Sequence, residues 1–342
     1  MKLGKNWMAA AALSLMLSAP GGLSAQESFA GKTIQIIVGG SAGGGFDVYA
    51  RVIARHLGKH IPGNPNVVVQ NMPGAGMSIA ANHVYRAKPD GLTIAHWIGG
   101  LVLQDIIGNP AINFDGRKVV WLGVPVADRL VCAFTRKSGI ATMEDWLRSK
   151  TPKKLGGMAP GTAYSDIPRL LEAGLNPPSR IVEGYQGTSP LRLAMEGSEI
   201  DGLCGWGWKS LKTVAQEDLK SGDIKVVLQV ALDRHPELKD IPAVVEYAAN
   251  DRARNLWQVG DYIHGSLQRP YSLPPGVPED RIALLRKAFL DTLKDPALLE
   301  EAKKAKIDVE PIDGITTTKM FGELYDMSPQ VIKELKTILS PK

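Results

Sequence analysis

Five glycines fall within seven residues, Gly39-Gly40-Ser41-Ala42-Gly43-Gly44-Gly45, and what flanks them decides what the chain can become. Ahead of them runs Ile34-Gln35-Ile36-Ile37-Val38, short, apolar and largely β-branched, the pattern of a buried strand. Behind them Val48, Tyr49, Val52, Ile53 and Leu57 recur at helical spacing, Arg51 and Arg55 face away, and Gly58 is placed to close the helix. A loop this bare lets a ligand approach the main chain. It feeds a helix N-terminus, where unpaired N–H groups and the dipole favour an anion. The stretch therefore predicts a small-anion site at the carboxyl end of a strand. Its candidate residues are Ser41, Ala42, Gly43, Gly44, Gly45, Phe46 and Asp47.

Other chemistries fit less well. Gly39-Gly40-Ser41-Ala42-Gly43 matches the G-x-S-x-G pattern of a hydrolase nucleophile elbow, which would make Ser41 a nucleophile. Several flexible residues separate Ser41 from the helix, whereas an elbow is a tight strand-to-helix turn. Its partner histidine and acid are not placed by the sequence either; His96 is the one histidine expected near that edge. No G-x-x-x-x-G-K-[ST] and no properly spaced G-x-G-x-x-G follows the strand, so a nucleotide loop is not indicated. A glycine-rich turn with no ligand is the remaining alternative.

The next segments repeat the alternation. Residues 66–70 read as a strand, Asn71-Met72-Pro73-Gly74-Ala75-Gly76 as a loop, 78–87 as a helix and 92–95 as a third strand. A βαβαβ run implies a parallel sheet with ligand-binding loops at the strand carboxyl ends. His96-Trp97-Ile98-Gly99-Gly100 then lies on the same edge as the glycine loop, which makes Trp97 a candidate.

At this point the motifs resemble a known family. Ala42-Gly43-Gly44-Gly45-Phe46-Asp47, Asn71-Met72-Pro73-Gly74-Ala75-Gly76 and Pro89-Asp90-Gly91-Leu92-Thr93 are similar to three motifs of the Bug family, the receptors of tripartite tricarboxylate transporters. Glu183-Gly184-Tyr185-Gln186-Gly187, Asp240-Ile241-Pro242-Ala243 and Leu273-Pro274-Pro275-Gly276-Val277-Pro278 follow in the family's order, so the resemblance spans nearly the whole mature chain. The chain departs from the pattern at Gly39-Gly40-Ser41, at Phe46, at Gln186 and in a longer, more aromatic stretch from Asp251 to Pro270. The resemblance implies an α/β, two-domain, type II periplasmic-binding-protein-like fold with the ligand cleft between the domains. It implies a discontinuous domain of residues 26–126 with 231–342, a second domain of 127–230, and hinges near Val126–Arg129 and Val230–Arg234. It also implies a monomeric, non-enzymatic periplasmic receptor. Such a receptor takes a small carboxylate solute and passes it to membrane permease subunits, with no cofactor. A sensor or interaction protein that keeps the fold without a transporter is a further possibility.

In the middle of the chain two more strand-end loops precede helices. Lys154–Met158 reads as a strand leading into Ala159-Pro160-Gly161-Thr162-Ala163-Tyr164-Ser165, where Thr162 or Ser165 would cap the next helix. Residues 180–185 read as another strand, followed by Gln186-Gly187-Thr188-Ser189-Pro190 with Ser189 as N-cap. Gly161, Thr162, Ser165, Tyr185, Gln186 and Gly187 join the candidates. Residues 200–204 read as a strand ending in a Gly205-Trp206-Gly207-Trp208 loop, where Trp206 either stacks on a ligand or packs in the core. No arginine lies in the three loops 39–47, 159–166 and 184–190. A carboxylate there is expected on main-chain amides and hydroxyls, with Asp47 bracing its own loop.

Composition excludes several classes. Net charge is +5, falling to +3 without Lys2 and Lys5, and no dense basic run interleaves with aromatics, so nucleic acid is not an expected partner. Six histidines form no metal-ligand spacing. Cys132 and Cys204 both sit in apolar strand-like runs and are read as two buried free thiols in preference to a disulfide. Residues 1–25 have a basic start, a short apolar core and Leu23-Ser24-Ala25 before Gln26, the form of a cleaved export signal. Mass spectrometry of the exported protein is expected to find an N-terminus within a few residues of Gln26; an intact Met1 would refute export by cleavage.

Overall fold

The computed structural model describes residues 29–340; the export signal expected at 1–25 lies outside them. Two sheets form, each flanked by helices. In the first, β1 (Thr33–Val38) lies between β2 (Asn66–Asn71) and β3 (Thr93–His96), and all three are parallel. Ile34, Ile36, Ile37 and Val38 are buried, as expected for a strand covered on both faces. Helix Gly45–Leu57 returns over β1 and β2 with Val52, Ile53 and Leu57 turned inward. The sequence pattern thus carries over directly for residues 33–96.

Beyond β3 the sheet is completed by strands from distant parts of the chain. Its order is β11-β4-β10-β3-β1-β2, with β4 (Val120–Val124), β10 (Tyr271–Leu273) and β11 (Ile312–Asp313). β10 runs antiparallel to β3 and β4, and β11 antiparallel to β4. These strands have two, three and five residues and no periodicity to announce them.

The second sheet has the order β7-β6-β8-β5-β9, from β5 (Leu130–Thr135), β6 (Lys153–Gly156), β7 (Ser179–Val182), β8 (Gly202–Gly207) and β9 (Ile224–Gln229). β6 is parallel to β7 and β8, while β5 is antiparallel to β8 and β9. The chain passes from the first sheet to the second through residues 125–129 and returns through the long segment 230–270. Within that segment helix Asp251–Asp261, started by Asn250 accepting a hydrogen bond from the Ala253 amide at 3.0 Å, packs on helix Ala163–Gly174. A single π-helical turn, Tyr262–Ser266, follows.

Three local expectations are corrected. Cys132 and Cys204 are disulfide-bonded, because β5 and β8 pair with these two residues directly opposite each other. Gly205-Trp206-Gly207 is strand, not loop, since Val131 pairs with Trp206 and Leu130 with Gly207. The helix after β7 begins at Thr188 with Gly187 as its N-cap, two residues earlier than a Ser189 cap requires. Two helices close the described chain, Gly314–Tyr325 and Pro329–Leu339, with Ser328 capping the second and Pro329 at its first position.

The disulfide closes a loop with a sequence separation of 72 in the centre of the second sheet. Replacing both cysteines by serine is expected to lower unfolding stability by about 2–4 kcal/mol, read from urea unfolding beside the oxidised wild type. A double variant as stable as wild type would show that the crosslink adds nothing to the pairing of β5 and β8.

Candidate functional site

The carboxyl ends of β1, β2 and β3 all point to one edge of the first sheet, and their loops gather there. Residues 39–44 join β1 to its helix, and 72–77 follow β2. A Cβ on Gly39 would lie 2.5 Å from Cβ of Met77, so these two loops pass in direct contact only because residue 39 has no side chain. Gly74, Ala75, Gly76 and Met77 all have positive φ, so the second loop is a run of left-handed backbone held by what surrounds it.

Asp47 supports the first loop. It is 3 % exposed, and its Oδ2 accepts from the Gly43 amide and from Arg51 Nε, both at 2.9 Å. Arg51 also donates to Asn71 Oδ1 at 3.1 Å, and Asn71 Nδ2 donates to the Gly40 carbonyl at 2.9 Å. One network therefore ties the glycine loop to the end of β2. Burial alone would push the Asp47 carboxyl up. The hydrogen bonds from Arg51, the Gly43 amide and Asn71 outweigh it and hold the group below its ordinary value of 3.8. This is the bracing role expected of Asp47, which points beneath the loop.

The second sheet repeats the device. Gly157–Thr162 joins β6 to helix Ala163–Gly174, and Asp166, fully buried in the first turn, accepts from the Gly161 amide at 3.1 Å. Ser165 Oγ accepts from the Met158 amide at 3.0 Å, and Thr162 Oγ1 donates to the Ala159 carbonyl at 2.7 Å. Both hydroxyls shape the loop; neither caps the helix.

The two loop edges face and touch each other. A Cβ on Gly100 would lie 2.0 Å from the Gly161 carbonyl oxygen, and one on Gly76 would lie 3.1 Å from Cβ of Ala159. Gly161 and Thr162 thus sit at the contact between the sheets, while the loop of Ser41, Ala42, Gly43, Gly44, Gly45 and Phe46 adjoins the 72–77 loop, with Gly39 against Met77, on the edge of the first sheet. The third loop stands further out. Tyr185 donates to Glu199 Oε1 at 2.6 Å, Gln186 Nε2 donates to the Gly184 carbonyl at 3.2 Å, and Gly187 turns with φ of 144°. Trp97 and Trp206 turn away from the edge into the core. Trp97 donates to Ser272 Oγ at 2.8 Å and stacks on Trp121, and Trp206 is fully buried among Val131, Leu203 and Leu211.

Ser41 is exposed and makes no hydrogen bond to a histidine among the described residues. His96 is fully buried with Nδ1 facing the Pro270 carbonyl at 3.3 Å, and burial pushes its pKa down to about 3. Among the described residues no three His, Cys, Asp or Glu side chains converge as a metal site. Arg51 and Arg169 are engaged internally, with Asp47 and with Glu183.

One residue at this edge was not singled out from the sequence. Arg269, at the end of the segment returning to the first sheet, is 8 % exposed and lies against the glycine loop. The one signal available was its position in the long aromatic stretch from Asp251 to Pro270.

The tripartite tricarboxylate transporter family receptor model matches residues 49–337. A UPF0065 protein from the TAR-I ttuE-ttuC' intergenic region of Agrobacterium vitis is 27 % identical over 283 residues, 81 % of this chain and 75 % of that protein. Among solved structures, the periplasmic binding protein BugD is 21 % identical with a TM-score of 0.70, covering 90 % of this chain and 97 % of its own. MatC from Rhodopseudomonas palustris, solved with bound malate, is 18 % identical with a TM-score of 0.67, covering 90 % and 99 %. The fold is thus that of two-domain solute-binding proteins.

The Asp47 network yields a signed expectation. Its folded pKa is depressed, so its stabilisation is complete above 3.8 and is lost as pH falls through the lower folded value. Asp47→Ala is expected to cost about 1–3 kcal/mol at neutral pH, from the orphaned amide and guanidinium. The gap between wild type and variant should narrow in acid; an equal gap at neutral pH and about pH 3 would exclude the carboxylate as the brace.

Proposed function

Since this chain belongs to the tripartite tricarboxylate transporter receptor family, we propose that it is an exported receptor for a small carboxylate, which it delivers to membrane permease subunits of that transporter class. The observation that carries the proposal is the pair of glycine loops at the strand-end edges of the two sheets, each braced by a buried aspartate. In each, an aspartate fixes one loop amide and leaves others beside a helix N-terminus for an anion. A carboxylate taken from water must be fully hydrogen-bonded. The amides of Gly45, Phe46 and Ala163, which are not engaged by the aspartates, with the hydroxyl of Ser41, are the donors proposed for it. Charge-assisted bonds of about 1.5–3 kcal/mol each make three or four of them sufficient for a micromolar ligand. Closure of the two domains about residues 125–129 and the returning segment would exclude water from the solute.

The protein is proposed to bind and release without turnover, and the isolated Ser41 hydroxyl supports that reading. Malate bound to MatC makes dicarboxylates the first solutes to try.

A thermal-shift screen against mono-, di- and tricarboxylates is expected to give at least one acid that raises Tm, because a ligand held by the native state alone stabilises it. Gly44 has extended backbone, and a Cβ there would meet only the Ser41 carbonyl, at 3.1 Å. Gly44→Val should therefore fold yet weaken that acid by about tenfold or more, the worth of one charge-assisted bond. A screen with no responding acid, or hydrolysis of esters abolished by Ser41→Ala, would overturn the receptor reading.

A further inference from the structure

Arg269 carries a charge that the protein itself does not neutralise. The side chain is 8 % exposed, its Nη1 is buried with no hydrogen-bond partner, and it forms no ion pair among the described residues. Its guanidinium carbon lies 4.6 Å from the centre of the Phe46 ring and 5.2 Å from that of Tyr49. Aromatic faces offset part of the desolvation of a cation but supply no acceptor for its N–H groups. The carboxylate whose charge it shares is Asp128, also buried, which accepts from the Lys209 amide at 3.1 Å and is beyond ion-pair reach of the guanidinium. A buried cation left without an anion is among the costlier arrangements a protein can hold.

Its position gives the reason for the cost. A Cβ on Gly45 would lie 3.4 Å from Arg269 Nη1, so the orphaned donor abuts the glycine loop where the helix begins. A second orphan is its near neighbour in sequence: the Tyr271 hydroxyl is buried without a partner, and burial keeps it protonated and able to donate. Tyr271 stacks on His96 at 4.1 Å, and His96 in turn touches Phe46 at 4.8 Å, so the group is contiguous. From the facing sheet Tyr164, in the first turn of its helix, lies within the field of Arg269. With Arg269 reaching the loop from the returning segment and no lysine or arginine in the three loops themselves, the site suits a group of single negative charge.

We infer that Arg269 is the charge partner of the solute's carboxylate, its Nη1 and the Tyr271 hydroxyl donating to oxygens that also meet the Gly45 and Phe46 amides. This rests on the receptor reading above and revises one part of it: the anion is held by a salt bridge from the returning segment as well as by the main chain. It also gives the lengthened 251–270 stretch a purpose, since that stretch delivers Arg269 to the loop.

The test uses the full mature chain and calorimetry with sodium acetate, malate, citrate and phosphate at matched ionic strength. Arg269→Met keeps the length and packing of the stem on Phe46 and Tyr49 and removes the charge. The variant is expected to keep or raise the ligand-free Tm, because an unpaired buried cation is gone. It should weaken the acids that wild type binds by roughly 100-fold, the worth of two charge-assisted bonds. Affinities within about threefold of wild type would assign Arg269 to bracing the loop and overturn the inference while the receptor reading stands. Should Arg269→Met fail to fold, Arg269→Lys decides: about tenfold weaker binding at an unchanged ligand-free Tm supports the fork-shaped contact, and unchanged affinity overturns it. Phosphate bound more tightly than every carboxylate would overturn the ligand class. A wild type that binds neither these four nor any acid of the thermal-shift screen overturns the receptor reading and the inference together.

Discussion

A buried carboxylate beneath a loop of glycines is the interaction on which the site depends. Glycine loses more conformational freedom on folding than any other residue, so a loop holding five of them in seven positions does not hold one shape by itself. Asp47 supplies what the loop lacks, a fixed acceptor for the Gly43 amide. That acceptor is itself buried and charged, so it requires Arg51, and Arg51 is held by Asn71, whose amide returns to the Gly40 carbonyl. The circuit closes only because β1 and β2 lie side by side in register, Val38 beside Asn71. The same dependence recurs under the second loop, with Asp166 and the Gly161 amide.

A second constraint is clearance. The loop edges of the two sheets approach until a methyl group would not fit between Gly100 and Gly161. Gly207, at the end of β8, leaves room in the same way for Asp128, whose Oδ2 would lie 2.2 Å from a Cβ there. Such glycines provide closeness between elements, while those of the first loop expose backbone. Their distribution marks where main chain from one half meets the other.

How much of this was legible follows the range of the interactions. β1, β2, β3 and the helix after the glycine loop are defined by local periodicity, and they stand within a residue or two of where the sequence puts them. Asp47 as a brace was readable as well, because an acid just inside a helix that follows a bare loop has amides above it. What the sequence hid is non-local. The disulfide needs β5 beside β8, and nothing in either apolar run states that adjacency. Trp206 reads as loop between glycines, yet Val131 draws it into a strand. Helix Asp251–Asp261 had a signal in its Asn250 cap that its weak apolar pattern obscured. Arg269 is one basic residue between Gln268 and Pro270, with no motif around it. Only the antiparallel placement of β10 against β3 carries it to the glycine loop.

The first sheet also sets the order in which this molecule can come into being. Its strands are drawn from residue 33 to residue 313, and β4 is completed on one side by β10 and on the other by β11. Val124 waits for Ile312, and Gly123 for both Tyr271 and Asp313. Pairings of such long separation are slow to nucleate. A ribosome that has released only the first two thirds of the chain has therefore released four of the six strands of that sheet, with β4 still lacking both of its neighbours. The first sheet thus stays open in its middle until nearly the whole chain is present, whatever the second sheet does in the meantime.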